Sequence, residues 1–222
     1  MTEIGKFNIL KACRAAREGT YLCDEEGEEV LLPAKEEPED LLIGDQLRVF
    51  VYRGPDDKMV ATLKEPKVVR NEFAYLQVVE VTRHGAFLDW GLDKDLLLPF
   101  SEQARKMKKG EWCLIYLYLD EQTYRLVASA RIQKFLDNEN LTVRPGDEVN
   151  LLIGWETDLG FNVIINNRHQ GLLFHKDLFK EIHTGDRMKG YIHQIKPDNK
   201  IDVGLQKPGY GKVPANAQKI LD

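Results

Sequence analysis

Short runs of apolar residues, often alternating with polar ones, recur along the whole chain, each bounded by glycine, proline or a cluster of charges. In the middle third these runs are "YLQVVEV" (75–81), "AFLDW" (86–90), "DLLLPF" (95–100), "EWCLIYLYL" (111–119) and "YRLVAS" (124–129). Their β-branched and aromatic content and near-twofold period predict five strands. Helix is expected only as short pieces, "SEQARKM" (101–107) and "KDLFKEI" (176–182).

The pattern repeats. A shift of 66 residues carries Gly19, Tyr21 and Leu31-Leu32-Pro33 onto Gly85, Phe87 and Leu97-Leu98-Pro99; a further shift of 75 carries Gly85 onto Gly160. A second glycine followed by an acid, Gly44-Asp45, Gly110-Glu111 and Gly185-Asp186, stands 25 residues after the first in every copy. Independent segments have no reason to keep such spacing, so the chain is read as three copies of one unit, 1–69, 70–138 and 139–208, with a tail over 209–222. The first glycine falls where one strand turns tightly into the next, a site for positive φ or a bulge.

Five short strands in about 65 residues, with a turn of helix between the third and fourth, describe a small OB-type barrel. The fold class expected is all-β, three tandem five-stranded barrels. In "LRVFVY" alternation puts Leu47, Val49 and Val51 on the core face and Phe50 and Tyr52 outside. Equivalent outer positions are Tyr116 and Tyr118 in the second unit and Tyr191 and His193 in the third. Such aromatic rows suit either packing between barrels or stacking of nucleic-acid bases.

Charge narrows the choice of ligand. The net charge of −5 opposes coating of nucleic acid by bulk electrostatics, so an anionic partner must be met by a local patch. The first unit, with "DEEGEE" and "KEEPED", is the most acidic and is expected to act as a scaffold or protein-contact unit. "RKMKKG" brings Arg105, Lys106, Lys108 and Lys109 together as a phosphate contact or a solvated turn. Three cysteines without C-x-x-C spacing suggest neither a disulfide framework nor a zinc ribbon, and are expected to be reduced thiols. No apolar run reaches the ~20 residues of a membrane span and the N-terminus lacks the regions of a signal peptide, so a cytoplasmic protein without membrane contact is expected.

The glycine, the aromatic two residues on, the leucine-rich strand, the Gly-acid pair and the final hairpin together resemble the S1 RNA-binding domain, a branch of the OB fold; the second unit resembles it most. That resemblance implies RNA-facing roles for Phe87, Asp120 and Arg125, with His84 replacing an aromatic and Pro99 replacing a histidine. Tyr116 joins them as an outer-face ring. In the first unit Tyr21 keeps the aromatic, Lys58 stands for the arginine, and Glu18 and Pro33 depart from the pattern. In the third, Phe161 lies one place from the expected aromatic. Phe174 takes the histidine position with His175 beside it, Lys200 replaces the arginine, and Tyr191 and His193 supply outer rings.

Three such units in this order are similar to the conserved virulence factor B family of bacterial RNA-binding proteins. The resemblance implies single-stranded RNA as the partner and a role in regulating gene expression. Members of that family continue into a winged helix, and Ala215 to Asp222 reads like the start of its first helix, implying a duplex-DNA contact through that module. The rival expectation is a protein-interaction scaffold, the first unit holding a ribosomal or transcription component. Four histidines in the third unit lack metal-ligand spacing, no nucleophile elbow or phosphate loop occurs, and neither cofactor nor enzymatic activity is expected.

Overall fold

Fifteen strands form among residues 1–54 and 56–208, which the computed structural model describes. The expectation for the tail lies outside the described residues. No helix among them is long and apolar enough to cross a membrane. The first five strands, β1 (Phe7–Ala16), β2 (Gly19–Cys23), β3 (Glu29–Pro33), β4 (Gln46–Arg53) and β5 (Met59–Thr62), close into a barrel in the order β1-β2-β3-β5-β4. The last five, β11 (Glu148–Thr157), β12 (Gly160–Ile165), β13 (His169–Phe174), β14 (Arg187–Ile195) and β15 (Ile201–Gly204), close in the same order. The middle set, β6 (Phe73–Thr82), β7 (Gly85–Asp89), β8 (Leu96–Pro99), β9 (Trp112–Asp120) and β10 (Arg125–Ser129), keeps that order but lacks the parallel ladder between β8 and β10, which still run side by side. The chain thus has the all-β, three-barrel architecture, the second barrel open along one seam.

Two features explain why each copy needs its glycines. Gly85 has φ +144° and pairs with Pro99, and a Cβ there would overlap the Leu98 carbonyl oxygen; Gly19 and Gly160 meet Leu32 and Leu173 in the same way. Only glycine fits a left-handed backbone pressed against the next strand. The Gly-acid pair then grips a one-residue bulge in each first strand. Gly110 N–H donates to Val78 O at 2.7 Å while Val78 N–H donates to Glu111 O at 2.8 Å, a two-way clasp repeated by Ala12 with Gly44-Asp45 and by Ile153 with Gly185-Asp186. The 25-residue spacing is the chain length joining these two fixed points.

Contacts divide the chain into Met1–Ile132, holding the first two barrels, and a second unit beginning at Gln133. Val49 and Val51 line the first barrel's core as alternation requires, but Phe50 and Tyr52, expected outside, are 0% and 5% exposed. Trp90, 3% exposed, packs edge-on against both with ring centroids at 5.8 and 6.0 Å, so the outside of β4 is the inside of the junction with the second barrel. Such edge-to-face pairs contribute about 0.5–1.5 kcal/mol each beyond the area they bury. Lys35 and Lys64 of the first barrel both bond Asp93 of the second.

Three further expectations change. The helices over 101–107 and 176–182 shrink to 3₁₀ turns, Phe100–Glu102 and His175–Asp177. In the first, the buried Gln103 side chain replaces helical bonding: its Nε2 donates to Leu98 O at 3.1 Å and its Oε1 accepts from Met107 N–H at 3.3 Å. Cys13 and Cys23, expected as thiols, form a disulfide with Cα atoms 6.0 Å apart. Cys13 is the bulged residue of β1, and the bulge brings it within bridging distance of β2, which sequence spacing does not reveal. Cys113 remains a free, buried thiol whose pKa burial pushes up to about 11.

Candidate functional site

The open seam of the second barrel holds a cavity of about 430 Å³. Leu96 and Leu97 of β8 face Leu126 and Val127 of β10 across it, and His84, Phe87 and Arg125 line it together. Phe87 is half-buried on the outer side of β7, while His84 and Arg125 are exposed at the rim. Three of the five residues expected on this barrel are therefore brought to one place. Tyr116 and Asp120 are not among its lining. Tyr116 packs on Phe73 with centroids 4.7 Å apart, and Asp120 Oδ1 accepts from Gln122 N–H, Thr123 N–H and the Thr123 hydroxyl. Asp120 thus caps its own hairpin turn, and those bonds hold its carboxyl below the usual range.

The first barrel closes one side of this cavity, a contribution the sequence reading did not anticipate. Asp57, in the β4–β5 turn, accepts from Arg125 Nη2 at 3.0 Å, and its other carboxylate oxygen is buried with no partner among the described residues. The guanidinium lowers the Asp57 pKa and is itself held more firmly protonated. Arg53 Nε donates to Tyr124 O at 2.9 Å, and Lys94 Nζ donates to Gly54 O at 2.8 Å, its pKa lowered first by burial. Apolar side chains share the pocket lining with Arg53, Lys94 and Arg125 and with two carboxylates, Asp95 of the same barrel and Asp57 of the neighbouring one, which pairs with Arg125.

The third barrel carries a larger groove of about 860 Å³ along β12, β13 and β15. Phe174 and Lys200 line it. Lys200 pairs with Asp198 at 2.6 Å, and Lys176 and Lys196 lie 5.1 and 5.7 Å from the Phe174 ring centre. The other candidates are elsewhere. Phe161 is 7% exposed and belongs to the barrel core, because the outer position two after Gly160 is Asn162. His175 packs edge-on against Phe161 and bonds Thr157 O through Nε2 at 3.0 Å. Tyr191 donates to Glu148 at 3.2 Å on the β11–β14 side, and His193 Nε2 lies 2.9 Å from Gln206 O in a separate depression.

Asn162 and Gln170, outside the set expected from sequence, also line this groove, and shifting Phe87 by the repeat period lands on Asn162. His169 is a satisfied core residue, flanked by Asp137 O and the Thr142 hydroxyl. Among the described residues no cluster of His, Cys, Asp or Glu could hold a metal. Arg105, Lys106, Lys108 and Lys109 are all exposed, and Arg105 bonds Glu111 at 2.8 Å.

Comparison with known proteins places this geometry. Residues 4–64 match the S1 domain family model, so the match falls on the first barrel. YitL, an uncharacterised protein of Bacillus subtilis strain 168, is 26% identical over 91% of this chain and 70% of its own length. Conserved virulence factor B of Staphylococcus epidermidis is 30% identical over 58% of this chain and 46% of its own, and that of Staphylococcus aureus strain USA300 is 26% identical over 64% and 53%. The chain spans about half the length of these virulence factor relatives. A multidomain protein with nucleic acid binding domains from Streptococcus pneumoniae shares the fold, with a TM-score of 0.50 at 18% identity over 91% of this chain and 74% of its own. With three barrels of one topology, an S1 domain match on the first and these relatives, the chain is similar to conserved virulence factor B.

Proposed function

We propose that this chain binds single-stranded RNA without catalysis, through the second and third of three barrel modules, as part of a regulator of gene expression. The observation that carries the reading is the convergence of His84, Phe87 and Arg125 on one cavity of the second barrel. A ring, an imidazole and a guanidinium around an apolar recess are what an unstacked base and its phosphate require. The S1 family match supports the same reading, as does the fold shared with a protein that has nucleic acid binding domains. Lys106, Lys108 and Lys109 add exposed positive charge for the backbone. The first barrel acts here as the structural partner of the second, its rings Phe50 and Tyr52 being buried at the junction.

Titration of a labelled single-stranded RNA at low salt tests the reading. Phe87→Ala with Arg125→Ala is expected to weaken binding about tenfold or more, since one stacked base is worth roughly 1–3 kcal/mol. Absence of binding by the unaltered protein, or indifference to the double substitution, would overturn it.

A further inference from the structure

The third barrel presents amides where the second presents a ring. On the outer side of β13, Gln170, Leu172 and Phe174 form a half-buried row, and Asn162 stands beside Leu172 on β12. All four line the 860 Å³ groove. Gln170 Nε2 donates to Asn162 Oδ1 at 2.9 Å across the two strands. Gln170 is itself held from behind: Asn138 accepts from Gln170 N–H at 2.7 Å and donates to Gln170 O at 2.9 Å and to Asn199 O at 3.0 Å. Asn138 thereby ties β13 to the turn that carries Lys200.

Within the Asn162–Gln170 pair, one donor and one acceptor satisfy each other. The second amide nitrogen, on Asn162, and the Gln170 carbonyl oxygen have no partner among the described residues. Exchanging oxygen and nitrogen in both amides leaves the same complement, one donor beside one acceptor. A half-buried amide pair fixed by a mutual bond is a preorganised hydrogen-bonding edge, since its rotamers are already restricted before any ligand arrives. Leu172 and the Phe174 ring give this edge an apolar floor, and Lys196 and Lys200 stand at its side, paired with Asp202 and Asp198 of the same groove.

We infer that this groove reads the edge of a nucleobase: Asn162 and Gln170 hydrogen-bond the Watson–Crick edge of one unstacked base of single-stranded RNA while Phe174 supports its face. This rests on the RNA reading above and gives it a division of labour, in which the third barrel supplies base preference and the second supplies stacking affinity. Every base offers a donor next to an acceptor, but their positions along the edge differ, so a fixed pair favours some bases over others.

The test is competition binding of the full chain with oligo(A), oligo(C), oligo(G) and oligo(U) of equal length, comparing the unaltered protein with Asn162→Ala/Gln170→Ala and with Asn162→Phe. A preference of about fivefold or more between homopolymers is expected, the worth of about one hydrogen bond. The double alanine variant should bring the four affinities within about twofold of one another. Asn162→Phe, which installs the ring found at Phe87, should also flatten the preference while keeping or raising affinity. Equal binding of all four by the unaltered protein, or an unchanged preference in both variants, overturns the inference. If Phe87→Ala/Arg125→Ala still weakens binding in that case, the RNA reading survives; if no oligomer binds at low salt, both fall.

Discussion

The outer faces of the second and third barrels occupy the same position in the repeat, yet they are built for different contacts. The second has an aromatic ring at Phe87, a seam that no ladder closes, and an arginine held by a carboxylate from the barrel before it. The third has a closed sheet, an asparagine in place of the ring, and a lysine paired within its own turn. The repeat therefore keeps the scaffold while the outer-face side chains differ. The lesson is that equivalence of position in a repeat does not carry equivalence of chemistry.

The scaffold shared by both faces is where the largest effect is expected. Gly160→Val would drive a side chain into the Leu173 carbonyl and force a β-branched residue to φ +156°. A loss of at least about 3 kcal/mol is expected, from overpacking added to backbone strain. Denaturant unfolding should show Gly85→Val destabilising the unit that holds the first two barrels by a comparable amount. If one glycine tolerates valine and the other does not, the two faces do not hang on the same geometry.

A smaller effect is expected from the carboxylate that distinguishes the second face. Asp57→Ala leaves Arg125 without its partner, so RNA binding should tighten about two- to fivefold, within the range of an exposed ion pair. The slope of log affinity against log salt should also steepen by about 0.7, the amount for one further phosphate contact on a single strand. Combination with Arg125→Ala should abolish both changes. An Asp57→Ala protein that binds RNA no differently would show that the ion pair does not compete with ligand.

The smallest expected effect concerns the junction itself. Asp93 is held at about 2 by Lys35 and Lys64, below its ordinary 3.8. A carboxylate whose folded pKa is depressed stabilises the fold fully above about pH 4, and that contribution is lost as pH falls through about 2. Melting curves between pH 5 and 2 should therefore show a modest acid-induced drop that Asp93→Asn reduces, and that added salt blunts. The same pH range should leave the relative stability of Asn162→Ala unchanged, because that side chain does not titrate.

Much of the scaffold was legible because its requirements are local. A glycine forced against the next strand and a Gly-acid clasp on a bulge recur at fixed spacing, and both leave marks that a repeat search finds. The side chains were less legible because their surroundings come from elsewhere in the chain. Nothing in "LRVFVY" shows that Trp90 will cover Phe50 and Tyr52, and nothing near Arg125 shows that Asp57 will reach it. Phe161 differs for another reason: the strand period assigns the outer position to Asn162 and turns the neighbouring ring into the barrel core. The Cys13–Cys23 pair follows from a bulge that adds a residue to one strand only, which no Cys spacing rule contains.

The shielding of Trp90 has a practical side. Of three indoles, Trp112 and Trp155 are 46% and 37% exposed, while Trp90 is almost wholly enclosed. Acrylamide should therefore quench two emitters and spare the third, leaving a blue-shifted signal that originates from one spot between the first and second barrels. The molecule carries its own optical gauge of whether those two barrels stay joined while ligand is taken up.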